Sequence, residues 1–335
     1  MSEFEWSQVD FQQFINQFGK EFVIGSAPVL LYSKKDKEHV AYNSLIAVFL
    51  ITGVLFIFIA LSYFFADIFF NIIIFSIIIA IGITADIILV INVIKSNVYI
   101  KPLECWVEIH KSESKNDFNY YCLTYYPIFT GKCFPNEAKN VIFKLYLDQV
   151  IGNTIDISQI EFYFKIRSKK QSIIERLGFF FQYSEGRAFR DENINRSNWR
   201  FFQYDKLKND NFIAVGNWDH QFEWRNDLEF DFDKLHEYAP WVIQRWNDTN
   251  IKPLTKEFKQ KINWSLRGIE SKPKLKPWES NIDSQKYENQ NVYTDIESVN
   301  RAISKVIGVN IEVEKVRQMK EHLFTFKAYF RDLGS

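Results

Sequence analysis

The sequence predicts a membrane protein: a two-helix transmembrane hairpin, a mainly antiparallel β-sandwich cytosolic domain, and C-terminal helices. Three observations carry that prediction. Two apolar runs, 44–65 and 68–94, each exceed the about 20 residues that cross a hydrocarbon core roughly 30 Å thick, and only Ala66 and Asp67 join them. Behind them, over 98–270, the hydrophobic period changes from helical to two. After 294 a helical spacing returns.

Residues 1–43 open the chain as an amphipathic helix followed by a basic juxtamembrane segment. Phe4, Phe11, Phe14, Phe18 and Phe22 share one helical face between positions 4 and 23. That face either lies on the inner leaflet or docks on the β domain. Lys34, Lys35 and Lys37 precede the first run, Lys95 and Lys101 follow the second, and the joint carries only Asp67. By the positive-inside rule both termini are cytoplasmic.

Within 44–95, Asp86 is the polar residue to explain. Neither run holds a Lys, Arg or His to pair with it, so a neutral, hydrogen-bonded Asp86 is expected. Ser62, Thr52 or the Asp86 of a second copy could meet it, and the small Gly82, Thr84 and Ala85 would let another helix approach closely. A homo-oligomer embedded in membrane lipid follows as the expectation.

The segment 96–270 supplies the strands. Leu103, Cys105, Val107 and Ile109 alternate with polar residues, as do Val141 to Leu147, Ile160 to Ile166, Phe222 with Trp224, Leu228 to Phe232, and Ile262 to Leu266. Further strands are expected over 120–128, 178–183, 199–204 and 211–216. Such alternation marks strands with one buried and one solvated face. It puts Glu223, Asp227, Glu229 and Asp231 on the wet side, so that together with Asp219 and His220 they read as a solvated acidic face rather than an acid/base or calcium site. The stretch 233–246 breaks the alternation and reads as a short helix or loop. Lys165, Arg167, Lys169, Lys170, Arg176 and Arg187 form a basic ribbon, either ordinary solvated loop or a patch for anionic lipid or a phosphorylated partner.

Two stretches within this segment resemble the arrestin-type sandwich and the related sporulation-control domains. FTGKCFPNEAKNVIFKLYLDQ with ISQIEFYFKIRS resembles a turn leading into a long strand and its successor. LEFDFDKLHEYAPWV with KINWSLRGIES resembles a Phe-x-Phe strand, a proline-bearing loop and an aromatic-centred return strand, matched at Phe230, Phe232, Pro240 and Trp264. His236 and Trp241 stand where that family usually carries adjacent prolines and a small residue. The resemblance implies one lobe of a fold that usually comes in tandem, and an adaptor-like role without catalytic residues.

Ser271 to Asn291, with Pro273 and Pro277, reads as a linker inside 271–293. Thr294 and Glu297 then form a capping box, opening the helices of 294–335.

Composition bounds the function. Lys+Arg and Asp+Glu balance at 41 each across 335 residues, which removes a global electrostatic case for nucleic acid. Three cysteines without a CxxC give no disulfide framework and suit a reducing compartment, and the group Cys105, His110, Cys122 and Cys133 lacks zinc-site spacing. No HExxH, GxSxG or phosphate-cradling glycine loop occurs, so no catalytic residue, metal or cofactor is expected. The leading expectation is a membrane-anchored interaction or adaptor module that meets a cytosolic protein or anionic headgroups. A channel or membrane-effector subunit is the alternative, and an enzyme without a recognisable motif the third.

Overall fold

Long strands form where this chain offers side chains for two faces at once. The computed structural model describes residues 5–34, 36, 50–54, 57, 82, 84, 87, 99–113, 117–133, 147, 151–167, 173–184, 199–204, 212–225, 241–267, 269 and 272–285. The chain divides into two units, 1–36 with 100–335, and 37–99.

In the first unit, β1 (Trp6–Val9) leads into α1 (Phe11–Phe18), α2 (Lys20–Gly25) and β2 (Val29–Ser33). Then come β3 (Pro102–Ser112), β4 (Phe118–Phe129), β5 (Asp156–Ile157), β6 (Ile160–Arg167), β7 (Ile174–Gln182) and β8 (Trp199–Gln203). The remaining elements are β9 (Phe212–Val215), β10 (Phe222–Arg225), β11 (Trp241–Gln244), β12 (Ile251–Pro253) and α3 (Lys256–Lys261). One sheet runs β1-β3-β4-β6-β7-β8, with β12 beside β3 and β5 beside β4; the other runs β10-β9-β2-β11. The pairs are antiparallel except β12 with β3 and β2 with β9.

Both faces of the large sheet are covered. On one, Ile109, Leu123, Phe162, Phe179 and Phe202 are aligned across five strands. There α1 and α2 bring Phe14, Phe18 and Phe22 onto Tyr121 and Phe164. Trp224 of the small sheet stacks on Phe202 and sits beside Phe179 and Phe181. The other face carries two polar rows, Glu108–Thr124–Glu161 and His110–Cys122–Tyr163, under α3 and the segment 272–285. Next to Tyr163 stands Gly178, where a Cβ would lie 2.2 Å from the Phe202 carbonyl oxygen, so only glycine fits.

Several expectations are corrected. Among the described residues no helix is long and apolar enough to cross a membrane, which overturns the transmembrane hairpin, the membrane fold class and the two-span, both-termini-cytoplasmic localisation. Hydropathy registers how strongly a run avoids water, whereas crossing a bilayer as a helix also demands a helix of sufficient length. In the second unit the described helical positions are 50–54, 57, 82, 84 and 87. The single N-terminal helix is instead a strand and two short helices. Asp10 caps α1 by accepting from the Gln13 amide, and Gly19, at φ +82°, ends it. The helices dock on the sheet.

Around 262–266 the expected strand is a helix end followed by a 3-10 turn, Trp264–Arg267. Asn263 at φ +52° reverses the backbone, so Ile262 and Trp264 are both buried without a pleat. Trp241–Gln244, read as helix or loop, is strand β11. Leu147, placed at the end of a strand, is helical. The expected strand 228–232 lies outside the described residues, as do Pro240 and the C-terminal helices. The stretch read as a linker is described over 272–285, where Pro273, Leu275 and Pro277 are buried.

Candidate functional site

The outer edge of β3 is shared by two short strands. β1 runs antiparallel along it down to the pair Val9–Ile109, and β12 runs parallel up to Pro253–Val107, so both stop beside Glu108. Each strand is cut short by its own sequence. Asp10 diverts the chain into α1, while Pro253 has no N–H for a ladder and Thr255 caps α3 by accepting from the Phe258 amide. The interruption leaves a groove of about 570 Å³. Gln8, Asp10, Glu108 and Thr255 give it polar lining, and Phe11 and Leu254 give it apolar lining. That volume lies in the range of small-molecule pockets.

Inward from the groove lie the polar rows. Glu108 is buried, and its Oε1 accepts from Gln8 Nε2 at 2.9 Å and from Lys259 Nζ at 2.8 Å. Burial raises its carboxyl pKa, an effect the Lys259 ammonium only partly offsets. Burial likewise holds the His110 imidazole down at about 4, helped by the charge of Lys259. Glu161 is fully buried and is the hub. Its Oε1 accepts from Gln159 Nε2, and its Oε2 from the Tyr163 hydroxyl and the Lys274 amide.

Burial pushes Glu161 up to about 7 against the pull of Lys274 and these donors. The folded value lies above the unfolded one. The stability this group contributes is therefore fully present below about pH 4.5 and lost as pH rises through about 7. Two to three pKa units correspond to about 3 kcal/mol. Glu161→Gln should flatten the stability profile between pH 5 and 8 and exceed the wild type at pH 8, as urea unfolding at the two pH values would measure. An unchanged slope in the variant would move the effect to another group; Glu108, also raised, is the first candidate.

A second buried cluster joins distant loops. His220, in the β9–β10 turn, contacts Asp156 Oδ2 through Nδ1 at 2.6 Å and Asp36 Oδ2 through Nε2 at 3.2 Å. Between two ionised carboxylates an imidazole donates from both nitrogens, which is its cationic form. Burial opposes that charge, and the bonds and charges of Asp156 and Asp36 outweigh it, raising the pKa. Lys132 pairs with Asp219 and lies 3.9 Å from Asp156. Burial of Asp156 is in turn outweighed by Lys132, His220 and Arg267, which hold its carboxyl well below the usual range. The His220 ring also stacks on Phe129. Among the described residues no group of three or more His, Cys, Asp or Glu is arranged to hold a metal ion.

The sequence-derived candidates fall elsewhere. Lys165 pairs with Glu175 at 3.0 Å and lies over the Phe118 ring, as does Arg167. Arg176 bonds the Tyr204 hydroxyl at 2.6 Å instead. A register shift between Tyr163 and Phe164 puts Arg176 opposite Phe164, so it shares that residue's face and not that of Lys165. Lys169, Lys170 and Arg187 lie outside the described residues, as do Ser62 and Asp86. Thr52, Gly82 and Thr84 occupy helical positions in the second unit, half-buried, buried and exposed respectively. Glu223, expected on a solvated face, is buried, as are its neighbours Asp219 and His220.

Glu108 and Glu161 escaped the sequence reading because each alternates with apolar neighbours and so looked solvated. The available signal was β4, which reads YYCLTYY over 120–126 without a charge. A strand that can be buried on both faces forces the acids of its neighbours inside as well. Compared with known proteins, the chain matches no family model, no curated protein and no solved structure.

Proposed function

We propose that this chain is an interaction module of adaptor type, which takes an extended, lysine- or arginine-bearing segment of a partner protein in the groove between β1 and β12. One observation carries the reading: Asp10 is an exposed acid on the groove lining, whereas the charge of Glu108 beside it is already met by Lys259. Apolar side chains beside them, Phe11 and Leu254 among others, would seat the stem of a long cationic side chain. The basic ribbon supports an anionic ligand less well, since Lys165 is engaged by Glu175 and Arg176 by Tyr204.

Fluorescence anisotropy with short labelled peptides tests this. Peptides carrying Lys or Arg between apolar residues should bind, and acidic counterparts should not. Asp10→Asn keeps the helix cap, because asparagine also accepts from the first-turn amides, and removes the charge. It should weaken binding roughly ten-fold, the size of one lost charge-assisted contact. Equal binding of acidic peptides, or no effect of Asp10→Asn, would refute the reading.

A further inference from the structure

The chain leaves the first unit at Asp36 and re-enters it at Ile100, so these two residues form the neck of the segment 37–99. Both are buried, and the Ile100 amide closes the neck by donating to the Asp36 carbonyl at 2.7 Å. The returning chain is fastened next door, where the Lys101 amide donates to the Thr130 hydroxyl and the Thr130 amide to the Lys101 carbonyl. The departing chain is fastened through a side chain. Asp36 Oδ2 meets His220 Nε2 at 3.2 Å, and Nδ1 of the same ring meets Asp156 Oδ2 at 2.6 Å. Asp156 stands opposite Phe129 in the β4–β5 ladder, and the His220 ring stacks on Phe129. One imidazole thus ties the neck to the large sheet.

We propose that His220 is a proton-operated latch on this neck, holding Asp36 while it bridges the two carboxylates and releasing it when one bridging proton is lost. Two contacts, one at each ring nitrogen, need two protons among the three groups. With one proton gone, lone pairs face each other across one of the two buried contacts, whichever group gave the proton up. The Asp36 side is the one to yield, because its contact is the longer and the neighbouring cations stand by Asp156.

The groups around the ring support that direction. Asp36 and Asp156 favour the cation from either side, against the effect of burial. Behind them, among the described residues, come Lys132 after β4, Asp219 of the same turn and Arg267 after α3. Lys132 pairs with Asp219 and lies 3.9 Å from Asp156. Arg267 is held in place by the carbonyls of Asn153, Ile155 and Ile262, and its charge acts on Asp156. A ring without charge therefore leaves Asp156 with counter-charges of its own.

Hydrogen exchange of the full chain between pH 6 and 9, corrected for the intrinsic pH dependence of exchange, tests the proposal at the Ile100 amide. Above about pH 6.5, the ordinary value of an exposed imidazole, protection should fall about ten-fold per pH unit until the closed value is passed. That slope is the loss of one proton. At every pH Ile100 should exchange faster than the β4 amides, because the neck opens without the sheet. Asp36→Asn should flatten the profile, since its side-chain amide can donate to Nε2 of a neutral ring and accept from a charged one. Flat protection in the wild type, the same slope in Asp36→Asn, or equal protection at Ile100 and in β4 would each overturn the latch; the last would assign the effect to global unfolding.

Discussion

Replacing His220 by asparagine is expected to destabilise the protein by about 3–5 kcal/mol at neutral pH, the usual consequence of removing one partner from a buried ion cluster. Asparagine is the informative substitute because His220 sits at φ +50°, a left-handed conformation that asparagine tolerates. The loss then reports the cation and its stacking on Phe129, not backbone strain. Asp36 and Asp156 would be left without the group that bridges them, and Lys132 is already shared with Asp219. Adding Asp36→Asn should recover a substantial part of the loss, because it removes one of the stranded charges. The pH dependence has a definite sign. A raised folded pKa means the stability from His220 is complete below about pH 6.5 and fades as pH rises through the folded value. Urea unfolding of the three proteins would decide, and a cost under about 1 kcal/mol for His220→Asn would show that the cluster does not hold the loops together.

That cluster also shows what sequence can and cannot announce. Asp219 and His220 were conspicuous as neighbours, but Asp36 lies 184 positions from His220 and Asp156 lies 64 away. Nothing local in the chain marks those partners, so the pair read as solvated. The strands divide in the same way. β3 and β6 are long enough for a period of two to emerge, and β4 and β7 show instead as runs of aromatic and apolar residues. β1, β2, β11 and β12 have three to five residues, and their partners come from distant parts of the chain. Alternation located strands but not their wet side, because wetness depends on what later segments lay over the sheet. Here α3 and residues 272–285 cover the face that the acids suggested was open. The apolar runs of 44–94 are the opposite case, a strong local signal that proved insufficient to establish a spanning helix.

Phe164→Ala should cost about 3–5 kcal/mol, the range for emptying a large aromatic side chain from a core. Phe164 is fully buried, stacked on Tyr121 at 5.1 Å and met by Phe22 at 5.0 Å, with Phe14, Phe18 and Phe162 around it. With Tyr121 it forms the aromatic surface on which the N-terminal helices dock. Its chain neighbour Lys165 points to the other face and pairs with a half-exposed Glu175, so Lys165→Ala should cost less than about 1 kcal/mol. The contrast between adjacent positions tests the strand, its register and the docking of α1 and α2 together. Trimming Phe22 to alanine beside Phe164→Ala adds the coupling: residues that share one cavity should be non-additive by about 0.5–3 kcal/mol. Near-equal costs at 164 and 165 would mean that the face assignment of β6 is wrong. A large cost at 164 with strict additivity to Phe22→Ala would keep the strand and remove the helices from it.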